Sequence, residues 1–294
     1  MKYFILIIAI CGLNALAAQD VNIEIATEGE KPFLLGKINR EGLTGANYNL
    51  WFDENYEKYN LDKKVIEQIG TKLNDYSIKL FMGTWCGDSK REVPRFYKIL
   101  EACNFPKNQL SAIALGRKRN MYKKSPNHEE SGLNIHRVPT FIFYKNGKEI
   151  NRIVETPVES LEKDILNIIT SNNYKSNYQI VTEIDHILKH NGLNGLEKQH
   201  KKLLKAYKNK LESMFELNTY ASVLFTENKY EAATLVFKLN NKLFPEEPRT
   251  YMSLANTLGF QKKKAEAIAV LEKAVALFPD NKDLAENLET IKTY

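Results

Sequence analysis

Residues 77–96 read SIKLFMGTWCGDSKREVPRF, and the fold is decided by how they are read. Residues 78–82 are apolar except for Lys79 and stop at Gly83, which is the length and punctuation of a short buried strand. Ser89 and Glu92 stand at the Ser-x-x-Glu spacing of a capping box, so a helix is expected to begin within a residue or two of Cys86. The unpaired N–H groups at a helix start carry partial positive charge, which favours a thiolate over a thiol and would make Cys86 ionise more readily than a free cysteine. The same residues also fit a blander arrangement, an inert packed cysteine followed by a serine that only caps the helix.

Working outward, the next decisive element is Ile135-His136-Arg137-Val138-Pro139-Thr140, which enters a hairpin: residues 141–144 and 149–154 flank Asn146-Gly147, a pair suited to the positive backbone angles of a two-residue turn. Together these stretches resemble the thioredoxin superfamily. Trp85, Cys86 and Gly87 match its Trp-Cys-Gly-x-Cys segment, and Pro94 lies eight residues after Cys86. Val138-Pro139-Thr140 matches its cis-proline element. Two positions depart from that pattern. Ser89 replaces the second cysteine, and Leu80 stands six residues before Cys86, where the family often has a buried acid. The resemblance covers residues 60–172 and implies an α/β thioredoxin-like domain, a central mixed sheet flanked by helices. It implies Cys86, Trp85 and Pro139 as the catalytic set, with Val138, Gly87, Ser89 and Thr140 meeting the substrate. No cofactor is implied. A one-thiol member keeps the first step of disulfide exchange and needs an external thiol for the second. The expected activity is therefore thiol-disulfide exchange on a protein or small-thiol disulfide. The alternative is a scaffold whose thioredoxin-like domain has lost catalysis. A thiol peroxidase fits poorly, because Gly83-Thr84-Trp85-Cys86 lacks the Thr or Ser and Pro that those relatives place ahead of the cysteine.

The 294 residues, 43% hydrophobic and 27% charged, have the composition of a soluble globular protein long enough for two ordinary domains. A net charge of +6 is too mild and dispersed to argue for nucleic acid. Residues 1–18 carry Lys2, an apolar run through Leu13 and Ala15-Leu16-Ala17-Ala18, the layout of a signal peptide cleaved near Ala17 or Ala18. The protein is accordingly expected to be exported, to a periplasm or the outside, with no membrane span after cleavage, since a span needs about 20 apolar residues. Losing Cys11 leaves Cys86 and Cys103. A helix between them would hold them roughly 25 Å apart, against the 7 Å or so a disulfide tolerates, so both are expected to be free.

Before the decisive stretch, Val21, Ile23 and Ile25 alternate as in a strand, and Trp51, Phe52, Tyr56 and Tyr59 form a helical stripe that reads as core. Val65, Ile66, Ile69 and Leu73 form a second helical face. After it, residues 110–115 read as a strand. Residues 116–137 then carry Arg117, Lys118, Arg119, Lys123, Lys124 and Arg137, either a solvated loop or a cationic rim that steadies a thiolate or steers an acidic partner. His128 and His136 lack metal-ligand spacing, so no metal is assigned. Val158, Leu161, Ile165, Ile168 and Ile169 close the unit as an amphipathic helix.

The polar stretch around residues 171–177 reads as a domain boundary, giving residues 19–172 as the thioredoxin-like domain with an N-terminal extension and 173–294 as a helical domain. There Leu243-Phe244-Pro245 and Leu277-Phe278-Pro279 recur at a spacing of 34, as do Ala221/Ala255, Leu224/Leu258, Ala233/Ala267 and Phe237/Leu271. This period resembles tetratricopeptide repeats, an all-α array that docks a protein partner. Two repeats need neighbours to bury their faces. Helices at residues 180–188, 193–207 and 283–294 are expected to supply them, and Tyr220, Tyr230 and Tyr251 to pack between repeats.

Overall fold

A computed structural model describes residues 21–118, 121–171 and 173–293; the leader expected at residues 1–18 lies outside them. The strand of the decisive stretch is β3 (Ser77–Met82), and it sits inside a six-stranded sheet. On either side of that strand, β4 (Leu110–Ala114) pairs parallel with β3 and β5 (Thr140–Lys145) pairs antiparallel, and β6 (Lys148–Val154) returns along β5 as one edge of the sheet. Asn146 and Gly147 make the β5–β6 turn with φ of 52° and 75°, the left-handed values an Asn-Gly turn supplies. At the other edge β1 (Ile23–Ile25) and β2 (Phe33–Ile38) form an antiparallel pair, and β2 runs antiparallel to β4.

Because side chains alternate across a strand, this sheet divides its apolar residues between two faces. Ile78, Leu80, Met82, Ala112, Ala114, Phe141 and Phe143 face the larger core. Helices cover it. After the one-turn α1 (Arg40–Leu43) come α2 (Asn49–Glu57), α3 (Lys63–Ile69), α4 (Gly87–Ala102) and α5 (Leu161–Thr170), which insert Phe52, Ile69, Phe96 and Ile165. Phe96 of α4 packs on Phe141 of β5 with ring centroids 4.4 Å apart, which ties the helix after Cys86 to the strand after Pro139. Phe81, Ile113, Leu115 and Ile142 face the other way, and Ile135 and Val138 from the segment at 116–139 close over them.

The second half is helical. It starts with α6 (Gln179–Tyr207), broken at Gly192, whose φ of 65° and ψ of −165° no helix contains, so the two helices expected there are both present. The rest is α7 (Phe215–Thr226), α8 (Tyr230–Leu243), α9 (Pro248–Phe260), α10 (Lys264–Leu277) and α11 (Lys282–Thr293). The 34-residue repetition of sequence is also a repetition of backbone. Asn228 and Lys262 both have φ of 61°. Lys229 (φ −89°, ψ 58°) matches Lys263 (φ −86°, ψ 56°), and Phe244 (φ −126°, ψ 64°) matches Phe278 (φ −130°, ψ 66°). Ala221, Leu224, Ala233 and Phe237 lie in one core with Ala255, Leu258, Ala267 and Leu271, joined by Tyr220, Tyr251 and the α11 residues Leu284, Leu288 and Ile291. Among the described residues, no helix is long and apolar enough to cross a membrane.

The two halves meet at the segment 116–139. Arg137 Nη2 donates to the Phe215 carbonyl (3.0 Å) and Lys124 Nζ to the Thr226 carbonyl (2.8 Å), so both ends of α7 are held by the segment that leads into Pro139. The buried His136 ring sits edge-on to Tyr178 (5.5 Å) and Tyr220 (5.9 Å).

Candidate active site

Cys86 is the N-cap residue of α4, with extended backbone angles (φ −91°, ψ 131°) and no side-chain capping bond. Its N–H donates to the Gly83 carbonyl (2.9 Å) and its carbonyl accepts from Lys90 (3.0 Å), a tight turn that delivers the chain from β3 into the helix. The first-turn N–H groups, and the partial positive charge they carry, therefore lie at the sulfur. Cys86 is half-buried, and its Sγ donates to the Val138 carbonyl at 3.2 Å. The Val138–Pro139 peptide is cis. Strand, helix and hairpin thus bring together Cys86, Val138 and Pro139, which stand far apart in the chain.

Trp85 flanks the sulfur, its Nε1 donating to the Leu115 carbonyl (2.8 Å) and its ring 6.1 Å from that of Tyr122. Gly83 makes that position possible, since a Cβ there would come within 2.6 Å of the indole. Gly87 is exposed and forms the open side of the site. Ser89 and Thr140 stand differently from expectation. Ser89 is sealed from solvent (0% exposed), and its hydroxyl accepts the Gly83 N–H at 3.2 Å. It therefore neither meets a substrate nor caps the helix, because the turn before Cys86 needs that acceptor more than the helix start does. Thr140 is 1% exposed and donates to the Arg137 carbonyl at 2.7 Å, which fixes the shape of the proline loop from inside. Glu92, the other half of the expected capping box, is buried and pairs with Arg91 (2.6 Å) and Arg95 (3.4 Å). Arg91 also holds Asp88 (2.7 Å), which offsets the one acidic charge in the first turn of α4.

Cys86 and Cys103 are both free. Cys103 is 3% exposed, and burial, with Glu162 adding to it, pushes its thiol up to about 11. Near neutral pH it is not a competing nucleophile.

Behind the proline loop stands a group of polar residues, of which sequence reasoning expects Lys123 and Arg137 as part of a solvated loop or cationic rim and misses Glu155 and Tyr178. Arg137 pairs with Glu155 (3.1 Å) and its guanidinium lies over the Tyr178 ring (4.9 Å); the Tyr178 hydroxyl donates to the same carboxylate. Burial raises Glu155 above the usual carboxylate range against the pull of Arg137. Lys123 is buried, donates to the His136 carbonyl and is drawn down to about 7, chiefly by loss of solvent and secondarily by Arg137. His136 is driven down to about 3, again chiefly by burial and then by Lys123, so it is neutral in the fold. Arg137 stands next to the Val138-Pro139 motif, which was the available signal. Glu155 and Tyr178 carry no pattern that points here.

Among the described residues, this arrangement has one partly buried sulfur, no second cysteine paired with it and a backbone carbonyl that accepts from it. No family model matches the chain. Over 115 residues, 35% of this chain and 77% of the relative, the sequence is 32% identical to a thioredoxin-like protein of Acanthamoeba polyphaga mimivirus.

Proposed function

The chain belongs to the thioredoxin-like family, and from that premise we propose that it is a one-thiol disulfide-exchange protein with Cys86 as its nucleophile. The observation that carries this reading is the Sγ of the partly buried Cys86 at the start of α4, 3.2 Å from the carbonyl of the residue before Pro139. Deprotonated Cys86 attacks one sulfur of a substrate disulfide; a Cys86-substrate bond forms, the substrate S–S bond breaks, and the departing thiolate takes a proton from solvent. An external thiol then attacks the mixed disulfide, returning Cys86 as a thiol and leaving with the substrate's sulfur. No net oxidation occurs, so the work done is isomerisation or removal of small-thiol adducts. Residues 1–18 serve as an export leader, and the 34-residue helical units, read as tetratricopeptide-like, dock a protein partner.

A free thiol is only a few per cent thiolate at pH 7. The reduced protein is expected to react with a peptide disulfide at that pH about an order of magnitude faster than a free cysteine peptide, and Cys86→Ser not at all. A rate no greater than the free peptide's would favour the scaffold reading, as would partner capture that Cys86→Ser leaves intact.

A further inference from the structure

Lys123 is 6% exposed, and among the described residues no carboxylate lies within ion-pair reach of its ammonium. Nζ donates to the carbonyl of His136. Two residues on, the carbonyl of Val138 accepts from Cys86 Sγ. The ammonium and the sulfur are thus bonded to the same short piece of backbone, whose two residues span at most about 7 Å. Tyr122 closes the same space, its ring 6.1 Å from Trp85 and 5.1 Å from Lys123 Nζ.

A buried ammonium is costly unless something nearby compensates its charge. The groups that face it are Arg137 and His136 from its own segment, Glu155 after β6, Tyr122 beside it, and Cys86. Arg137 adds to the cost. Glu155 is already held by Arg137 (3.1 Å) and the Tyr178 hydroxyl, and it also feels Asp88. Even so shared, Glu155 favours the ammonium most, and after it comes the Cys86 sulfur, whose charge also favours the protonated form of Lys123. Coupling of this kind is reciprocal: if the sulfur favours the ammonium, the ammonium favours the thiolate to the same degree. Leu80, fully buried where the resemblance has an acid, offers no competing charge from the strand side.

We propose that Lys123 is the buried counter-charge of Cys86, a positioning residue that stabilises the sulfur's ionised form while its bond to the His136 carbonyl holds the proline loop against it. The proposal rests on the reading of Cys86 as a nucleophile. It also gives the site a pH dependence: the ammonium is half lost at about pH 7 and declines further above it, so the support is greatest in mildly acidic solution.

Two variants separate charge from hydrogen bonding. Lys123→Gln keeps an N–H donor for His136 and removes the charge; Lys123→Met removes both. The rate of Cys86 alkylation by a neutral reagent is followed from pH 5 to 9, with circular dichroism to establish folding. Opposite charges within such a span shift a titration by roughly one pH unit, so both variants are expected to react roughly tenfold more slowly than the parent at pH 6.5. A Lys123→Gln profile that overlays the parent's would overturn the proposal. A second measurement needs no variant. Capping Cys86 as its methyl disulfide in the unmodified chain should lower the NMR titration midpoint of the Lys123 side chain, and an unchanged midpoint would overturn the proposal equally. If the variants shift the alkylation profile but the parent fails to exchange with disulfides, Lys123 keeps its role and the exchange reading falls. If the parent exchanges and the profile does not move, the reverse holds.

Discussion

A chain carrying Ser89→Cys is expected to hold no lasting mixed disulfide: an adduct formed on Cys86 should be released within the chain, whether or not external thiol is added. Ser89 stands three residues after Cys86 on the first turn of α4, on the side that turns back toward Gly83. A sulfur there is tethered beside the adduct at an effective concentration of millimolar or more, whereas the parent chain waits for a thiol from solution. Release should therefore change from first order in added thiol to independent of it, with a chain-internal disulfide as product. The substitution also weakens the acceptor for the Gly83 N–H, at a cost of about 1 kcal/mol, which leaves the fold intact. Adducts as durable as the parent's would mean that this turn does not hold position 89 near the reacting sulfur.

The second large effect concerns acid. His136 is buried between the halves, edge-on to Tyr178 and Tyr220, and its Nε2 has no partner among the described residues. Its value in the fold, about 3, lies far below the ordinary 6.5, first because burial penalises the charged ring and then because Lys123 adds like charge. A depressed value means that the unfolded chain binds the proton more readily. The stability tied to a neutral His136 is complete above about pH 6.5 and is lost as pH falls from there toward 3, amounting to about 4 kcal/mol at the lower end. Urea denaturation at pH 7 and pH 4 should give a markedly larger loss for the parent than for His136→Phe, which keeps an aromatic ring and cannot charge. Equal losses would show that the ring is not held neutral at that junction. Lys123 acts in a separate window. The fold releases its proton near 7 and an unfolded lysine near 10.5, so the cost of burying it is relieved as pH rises between those values.

What was legible in the sequence is what local chemistry dictates. The apolar run of β3 that stops at Gly83, the Asn146-Gly147 turn and the residues repeated every 34 positions all specify structure from neighbours alone, and each is present in the fold. The sulfur does stand at a helix start, as expected, although the Ser89–Glu92 capping box that suggested it is not formed. The strand β2 was not legible, because Gly36 reads as loop punctuation. In the fold Gly36 keeps a φ of 82° inside the strand while the Pro126 ring packs 3.5 Å from where a Cβ would stand. Ser89 and Glu92 misled because capping and tertiary contacts compete for the same oxygens, and here the turn at Gly83 and the arginines of α4 win. The basic residues of 116–137 read as solvated or as a rim. Lys123, Lys124 and Arg137 instead turn inward, toward His136, Thr226, Glu155 and Phe215. Nothing in a charge count distinguishes those three from lysines that stay in water, since the partners lie up to about a hundred residues away along the chain.

The most direct measurement is the intact mass of the reduced protein after brief exposure to a peptide disulfide at neutral pH, followed by peptide mapping. One mixed disulfide per chain, located at Cys86 and stable until an external thiol is added, is the predicted result. A chain that gains no mass, or that carries the peptide on Cys103, would contradict the assignment of Cys86 as the exchanging sulfur.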